Sequence, residues 1–503
     1  MTMTESQAMN DKIPSEPHRR SAAFPAPTTR YRFLLLAGCL AAGLAASPAR
    51  ADERLLLLLR DKGVISQDEY GSLRGHQDAA LALAELLAGK GVLSAAELER
   101  LRELPPPAQP AARVKLTVAQ EGEGGVEGEG LKFELGGRLH ADYRNFDVPV
   151  NNADDTFEVR RARFGVTVTY DRYFEAEITG DFSESGAKLD TGYANFGWWQ
   201  AAQLRAGKFK MPFSLEEATS SNYIDFQERS LVNAQAPGKL TGMMLHGAPY
   251  KGVYYGVALS NGAPDVDEDN NDAKDLIGRA AVNAAELLGY RQTVLHLGLG
   301  ATRGELVAGG RAPNQRTEGR GLRLFRAKTF SGGDVDHERR GLEVALAHGP
   351  VKLQGEFVRT GFEGASAAGL AFEREIHASY ASLSWLLSGE SYADAYKKGA
   401  FSRIKPHAKF VPGKGGGAWE LGLRHSRFDA TDFKTANPAG TGVLETGFTN
   451  KASATTLGLK WIPNEHTRFL LNWVRTSFAT PVAVGTRSVD SENALTLRAQ
   501  VNF

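Results

Sequence analysis

The chain has 503 residues, and its 59 basic and 59 acidic side chains balance to a formal net charge of zero, with 42% of the residues hydrophobic. Beyond the N-terminal region there is no run of about 20 apolar residues, which excludes membrane-spanning helices but not barrel strands, since those are only half apolar. The balanced charge argues against electrostatic attraction to nucleic acid, so any ion preference must be local.

Residues 1–51 read as an export signal with a long leader. Arg19, Arg20, Arg30 and Arg32 precede an apolar run at 33–46, and Ala49 and Ala51 are the small residues expected before cleavage at Asp52. Leu36, Ala37, Gly38 and Cys39 also resemble a lipobox, which would make the cysteine a lipidation site. On the first reading the single cysteine leaves with the signal, and no thiol or disulfide chemistry remains.

Residues 52–104 hold an internal repeat, in which LLLRDKGVISQDEYGSLRG is echoed by LLAGKGVLSAAELERLRE. In each copy a leucine-rich helix is expected to stop at Gly63 or Gly91 and a second to start at Ser66 or Ser94. Glu69 and Glu97 follow three residues later, which makes two capping boxes. The repeat reads either as a periplasmic module for assembly or partner binding, or as a helical appendage with no separate role. Residues 105–130 are rich in Pro and Gly and read as a linker, with one short strand near 114–119.

From 131 to 503 the pattern is strands and turns. In the stretch 157–181, Arg161, Arg163, Gly165, Thr167 and Thr169 alternate with Ala162, Phe164, Val166, Val168 and Tyr170. After a turn at Asp171 and Arg172 the alternation resumes, with Glu175, Glu177, Thr179 and Asp181 on one face. The final strand repeats it, with Leu495, Leu497, Ala499, Val501 and Phe503 opposite Thr496, Arg498, Gln500 and Asn502. Apolar residues toward lipid and polar residues toward a wet lumen are the signature of a transmembrane barrel, whose closure also pairs every backbone group.

Candidate strands fall at 131–145, 157–170, 173–182, 191–199, 202–209, 241–248, 251–259, 275–285, 291–302, 338–348, 351–360, 374–388, 417–428, 452–462, 467–477 and 493–503. The fold class is therefore an all-β transmembrane antiparallel barrel of about sixteen strands, wide enough for an aqueous channel. Short connections at 170–173, 348–351 and 462–467 suit one rim. Long polar ones at 303–337, 429–451 and 478–492 suit external loops, and 389–416 is long where a short turn is expected, so it is either a periplasmic excursion or a sign of miscounted strands. Trp198, Trp199, Trp385, Trp461 and Trp473 are placed to form aromatic girdles.

The segment 210–240 mixes apolar anchors, Phe213, Leu215, Tyr223, Ile224, Phe226 and Leu231, with polar residues and Arg229. This composition suits a loop folded into the lumen, packing on the wall while presenting polar groups to the pore; packing on a neighbouring subunit is the alternative. The acidic run 265–275 lacks the Gly and terminal Glu of a calcium loop, so no metal site, cofactor or catalytic set is assigned.

The stretches LGGRLHADYRNFD, VRRARFG, LRAGKFKMPFSLEEATSSNYIDFQERSL, LLSGESYADAYKKGAFSRIKP and GAWELGLRHSRFD, with the closing AQVNF, resemble the phosphate-selective porin family of Gram-negative outer membranes. The resemblance covers roughly 131–503. It implies a homotrimer of sixteen-stranded barrels in outer-membrane lipid and lipopolysaccharide, each with an inward constriction loop and an arginine ladder for small anions. Carried over by position, the anion path takes Arg144, Arg160, Arg161 and Arg229, and Lys397 and Lys405 fall near family lysines at the periplasmic end. The constriction loop carries Phe213, Glu216, Glu217, Asn222 and Tyr223. Glu217 and Asn222 stand where phosphate-specific members carry lysines, and Arg163 where an aromatic is frequent. The function expected is a diffusion channel for small anions, phosphate or polyphosphate among them; a general or organic-solute pore is the alternative. Strand parity places Arg161 and Arg163 in the lumen, and Arg160 outside unless the strand bulges.

Overall fold

The computed structural model describes residues 131–150, 153–183, 186–262, 272–307, 312–330, 332–366, 369–435 and 443–503, the short strands Lys115–Thr117 and Gly125–Gly128, and parts of 56–99. The expected export signal with Cys39, Glu97 and most of the acidic run lie outside the described residues. The chain divides into two units, 1–111 and 112–503.

In the first unit, helices α1 (Gln67–Arg74) and α2 (Ala79–Gly89) accompany a small core of Leu56, Ile65, Tyr70 and Leu73. The first capping box forms: Glu69 N donates to Ser66 Oγ at 3.2 Å, and Ser66 N donates to the Glu69 carboxylate at 2.6 Å. Gly63 and Gly91 end their helices at φ 70° and 71°, a region where glycine has no steric penalty.

The second unit is one antiparallel sheet of 18 strands, two of which are the short pieces at 115–117 and 125–128. The other sixteen form the barrel. They are β1 (Leu131–Val150), β2 (Ala153–Tyr170), β3 (Phe174–Asp181), β4 (Lys188–Trp199), β5 (Ala202–Lys210), β6 (Lys239–Tyr250), β7 (Val253–Ser260) and β8 (Asp275–Asn283). There follow β9 (Thr293–Leu306), β10 (Val335–His348), β11 (Val351–Ala365), β12 (Ala371–Leu386), β13 (Ala418–Asp429), β14 (Lys451–Asn464), β15 (Thr467–Val484) and β16 (Arg487–Asn502). Strand β16 closes on β1 in a ladder from Ala494↔Phe146 to Asn502↔Arg138, so the barrel has no free edge. The short strands pair with each other and with the start of β1, so part of the expected linker extends the sheet.

The inside-out pattern holds in β16, where Leu495, Leu497, Val501 and Phe503 are exposed on the outer face and Thr496, Arg498, Gln500 and Asn502 are buried inside. Both chain ends of the barrel lie at one rim, the near rim, where the turns are tight. At Asp171 and Arg172 both residues take positive φ, 49° and 64°, matching the twist of the flanking strands. Trp461 stacks between Trp419 and Phe469 with ring centroids 5.7 and 5.5 Å away, forming an aromatic band beside the near-rim turn 465–466.

Two expected loops turn out differently, and the long connection near 389–416 resolves as an excursion. The stretch 478–492 is not a loop: β15 and β16 run on to a two-residue turn at 485–486, with a bulge between Ser477 and Val482. The connection 303–337 is not simply external, because Leu324, Phe325, Ala327 and Phe330 pack on wall residues Phe362, Phe372, Ile376 and Phe428, joined by Phe433 and Leu444 from the connection between β13 and β14. The segment 387–417 is a genuine near-rim excursion and not a miscount. Its Tyr392, Tyr396, Phe401 and Ile404 pack on Val294, Ala345, Ala347 and Ile462 of the wall.

Candidate functional site

The 211–238 connection between β5 and β6 crosses the lumen, held at both ends of its span by aromatic residues seated on glycines. Phe213 lies on β9 and β10, where a Cβ at Gly300 would stand 2.3 Å from the Phe213 carbonyl oxygen and one at Gly341 would stand 3.3 Å from its ring. Phe226 lies on β13 and β14, where a Cβ at either Gly422 or Gly458 would come within 3.0 Å of its ring. Between these anchors the loop makes the helical turn α3 (Leu215–Ala218), whose N-cap Ser214 accepts from Glu217 N at 3.0 Å. It then reaches β15 and β16: Gln500 Nε2 donates to Asn222 O at 3.0 Å, and Gln227 N donates to Asn472 Oδ1 at 3.2 Å. Glu216 closes the loop on itself by accepting from Ser230 N at 2.9 Å and Ser230 Oγ at 2.7 Å.

The wall of β1, β2 and β16 faces this loop with a dense set of charges. Strand β2 does bulge: His140 pairs with Arg161 and Ala141 with Val159, leaving Arg160 as the extra residue. The bulge turns Arg160 inward, where its Nε lies 2.9 Å from Glu228 Oε1. Arg144 is buried against Asp142 at 2.6 Å, Glu228 at 2.8 Å and Glu158 at 3.1 Å, and its Nη1 donates to Gly319 O at 2.7 Å. Arg163 bridges Asp181 at 2.7 Å and Asp190 at 2.9 Å. Arg161 differs from all three. Its one polar contact is His140 Nδ1 at 3.4 Å, and it makes no ion pair among the described residues.

The other sequence-derived residues are spread along the pore. Arg229 stays within the loop, donating to the Glu216 and Thr219 carbonyls at 3.0 and 2.9 Å, with Glu217 3.7 Å away. Glu217 is thereby buried beside a cation instead of facing the lumen as a free carboxylate. The Asn222 side chain meets His140 Nε2 at 3.2 Å, and Tyr223 lies under the guanidinium of Arg468 at 4.8 Å. Lys397 and Lys405 are not at the constriction. Both belong to the near-rim excursion, Lys397 exposed in a two-residue strand and Lys405 bridging Glu465 at 3.2 Å.

The model of one family, "Phosphate-selective porin O and P", matches residues 133–503, nearly the whole barrel. The chain belongs to that family. Porin O of Pseudomonas aeruginosa is 27% identical over 379 residues, covering 69% of this chain and 83% of that protein. Among solved structures, outer-membrane expressed OmpT of Vibrio cholerae aligns with a TM-score of 0.46 at 11% identity, over 74% of this chain and 98% of that one. The outer membrane channel DcaP of Acinetobacter baumannii aligns at 0.45 and 12% identity, over 75% and 98%. The family match makes the protein an outer-membrane porin.

Several lumen cations of this porin are absent from the sequence-derived path. Arg138 donates to Ser221 Oγ of the crossing loop at 2.8 Å and makes no ion pair among the described residues. Lys210, half-buried at the end of β5, donates to the Glu217 and Thr219 carbonyls at 2.6 and 3.1 Å. Lys239 pairs with Asp190, and Arg498 with Asp142 and Glu228. Parity alone could have found Arg138, which shares a face with His140 and Arg144. The lysines only become significant once the loop is known to fold between them.

Glu228 ties the loop to this wall. Burial pushes its carboxyl up, but Arg160, Arg144, Arg498 and Arg161 outweigh burial and hold it well below the usual carboxylate range. Around the constriction, Asp142, Asp181, Asp190 and Glu228 are each paired with a cation, while Arg138 and Arg161 have no carboxylate partner among the described residues. A guanidinium stays charged and offers a planar fork of donors to an oxyanion, so it can replace lost hydration without proton exchange.

Proposed function

We propose that this porin conducts small anions, with phosphate or polyphosphate among its substrates, along the wall of β1, β2 and β16. The observation that carries the reading is the pair Arg138 and Arg161. Both face the crossing loop without an ion pair among the described residues, beside carboxylates that are already neutralised. Several such groups in series make anion admission favourable, and the weakness of each leaves exit open. On this reading the near rim and the helical unit face the periplasm, the far rim faces outward, the barrel assembles as a homotrimer, and no catalytic step is involved.

The test is the reversal potential of the purified protein in a planar bilayer under a potassium chloride gradient, with and without phosphate. Anion preference that phosphate blocks, and that Arg161→Ala and Arg138→Ala each weaken, supports the reading. A cation preference or none at all would sink it and leave a general solute pore whose arginines serve to pair with carboxylates.

A further inference from the structure

The far-rim segment 303–337 folds into the lumen, whereas the near-rim excursion turns both ways. Its first half packs inward on the wall, and from Lys405 the chain turns out, so that every residue to Gly416 except Pro406 is exposed. A small hairpin closes this stretch. Lys414 N donates to Val411 O at 3.0 Å, with Pro412 second in the turn and Gly413 third at φ 79°, which are the requirements of a type II turn. Val411 N donates to Gly415 O at 3.0 Å and Gly417 N to Ala408 O at 2.8 Å, which completes the stem.

The hairpin is seated on the outer face of the barrel. Lys460 and Ile462 of β14 are buried toward the lumen, so Trp461 between them points to the lipid side. The Phe410 ring meets Trp461 edge-on, with centroids 5.0 Å apart and planes at 83°, and Phe410 N donates to Pro463 O at 2.8 Å. The fit leaves no room at Gly417, where a Cβ would stand 2.7 Å from Trp461 Nε1. Phe410 thus joins the near-rim aromatic band, yet it and Val411 remain 38% and 45% exposed. Apolar side chains presented at this level gain from immersion at the boundary between headgroups and acyl chains. The charge beside them has one sign: no acidic residue occurs between Asp394 and Glu420, while Lys405, Lys409 and Lys414 lie in the exposed stretch. Lys409 and Lys414 make no ion pair among the described residues. Glu465, which Lys409 also feels, is already held by Lys405 at 3.2 Å and Arg403 at 3.7 Å.

We propose that the hairpin 408–417 is a binding site for an anionic phospholipid in the leaflet at the near rim. Phe410 and Val411 pack on its acyl chains beside Trp461, and Lys409 and Lys414 hold its headgroup phosphate. Lysines suit this place because their long apolar stems can follow the hairpin surface while the ammonium reaches the headgroup level. The proposal concerns the outside of the barrel and stands whichever solute the pore conducts.

The experiment titrates the full-length protein in mild detergent with phosphatidylglycerol or, separately, phosphatidylcholine, and counts bound lipid by native mass spectrometry. The wild type should take up phosphatidylglycerol at the lower concentration. A lysine near an anionic lipid surface is worth about fivefold, so Lys409→Gln with Lys414→Gln should raise the half-occupancy concentration for phosphatidylglycerol between about fivefold and about 25-fold and leave phosphatidylcholine unchanged. Arginine at both positions should keep the wild-type preference, and Phe410→Ala should weaken both lipids alike. Both lysines are exposed and outside the buried networks, so the heat resistance of the barrel should hold in the glutamine variant. Equal phosphatidylglycerol uptake by the wild type and the glutamine variant overturns the proposal. So does displacement of the lipid by an equal concentration of inorganic phosphate, which would mark a free-anion site. A glutamine variant that keeps its lipid but changes its oligomeric state also overturns it, and makes the hairpin a contact between copies of the chain.

Discussion

The two sides of the lumen share one alternation but meet different fates. Along β12 and β13 the lumen-facing positions are buried as regularly as the outward ones are exposed: from Ala418 to Phe428 every even-numbered residue is buried and every odd-numbered one exposed. Along β2 and β3, Arg163, Thr167, Thr169, Glu175 and Glu177 are only half-buried. The first side is covered by protein, namely the crossing loop, the far-rim segment and the near-rim excursion, and the second borders water. The difference teaches that strand parity selects the face, whereas inserted segments decide whether that face becomes core or channel. Substitutions on the covered side should therefore register in stability, and those on the open side in selectivity.

The largest effect is expected at Glu318. Its carboxylate holds Arg424, Ser426, Thr456 and Leu231 N, so it joins the far-rim segment, the wall and the crossing loop. Glu318→Ala leaves the Arg424 guanidinium buried with Glu216 as its remaining carboxylate partner at 3.4 Å and the Glu228 carbonyl at 3.1 Å, and breaking a buried pair on one side costs about 3–5 kcal/mol. Urea or heat unfolding followed by circular dichroism measures this. A loss below about 1 kcal/mol would mean that the covered side is not a core.

Phe213→Ala comes next. Removing a buried aromatic costs about 3 kcal/mol or somewhat more, and here it also frees the loop from its seat on Gly300 and Gly341. Single-channel conductance should rise and become noisy as the loop leaves the lumen. A quiet channel of unchanged conductance would show that Phe226 alone holds the span.

Most of the barrel was legible because period-two alternation and lipid-facing apolar residues are local and repeat in every strand. The anchors of the crossing loop were legible for a related reason: Phe213 and Phe226 are too apolar for an exposed loop. The covering segments were not, because 303–337 is polar enough to look external and its four buried apolar residues lie close together in a short stretch. A signal was nonetheless present at the strand ends. Phe362, Phe372, Ile376 and Phe428 are apolar at positions that parity assigns to the lumen, which makes sense only if something packs on them. The tight turn at 319–321 was not legible at all, since it depends on a backbone angle and two distant wall contacts.

The boundary between the two sides runs through Glu228, and pH should loosen it. A carboxylate whose folded-state value is depressed contributes stability that is present above its unfolded value, near 4.3, and is lost as pH falls through the folded value. Since four arginines hold Glu228 well below the ordinary range, the loop should stay docked at neutral pH and weaken only in strong acid. From pH 7 down to 3 the unfolding midpoint should fall at the acid end, while conductance rises and becomes noisy as the loop loosens. Glu228→Gln should reduce that dependence and lower stability at pH 7. A midpoint that is flat with pH in the wild type would mean that the arginines gain nothing from this carboxylate.

The smallest change in stability should come from the open side, at Glu177. Its carboxylate accepts from Thr179 Oγ1 at 3.0 Å and makes no ion pair among the described residues, and the side chain borders water on the β3 wall. Glu177→Gln keeps that contact and removes one negative charge from the open wall. Such substitutions away from buried networks stay within about 0.5 kcal/mol, so unfolding should hardly move. The reversal potential should move, toward stronger anion preference, because the field of Arg138 and Arg161 then acts with less opposition across a short, weakly screened path. If stability falls by as much as in Phe213→Ala, the β3 wall is core as well, and the division between a covered and an open side fails.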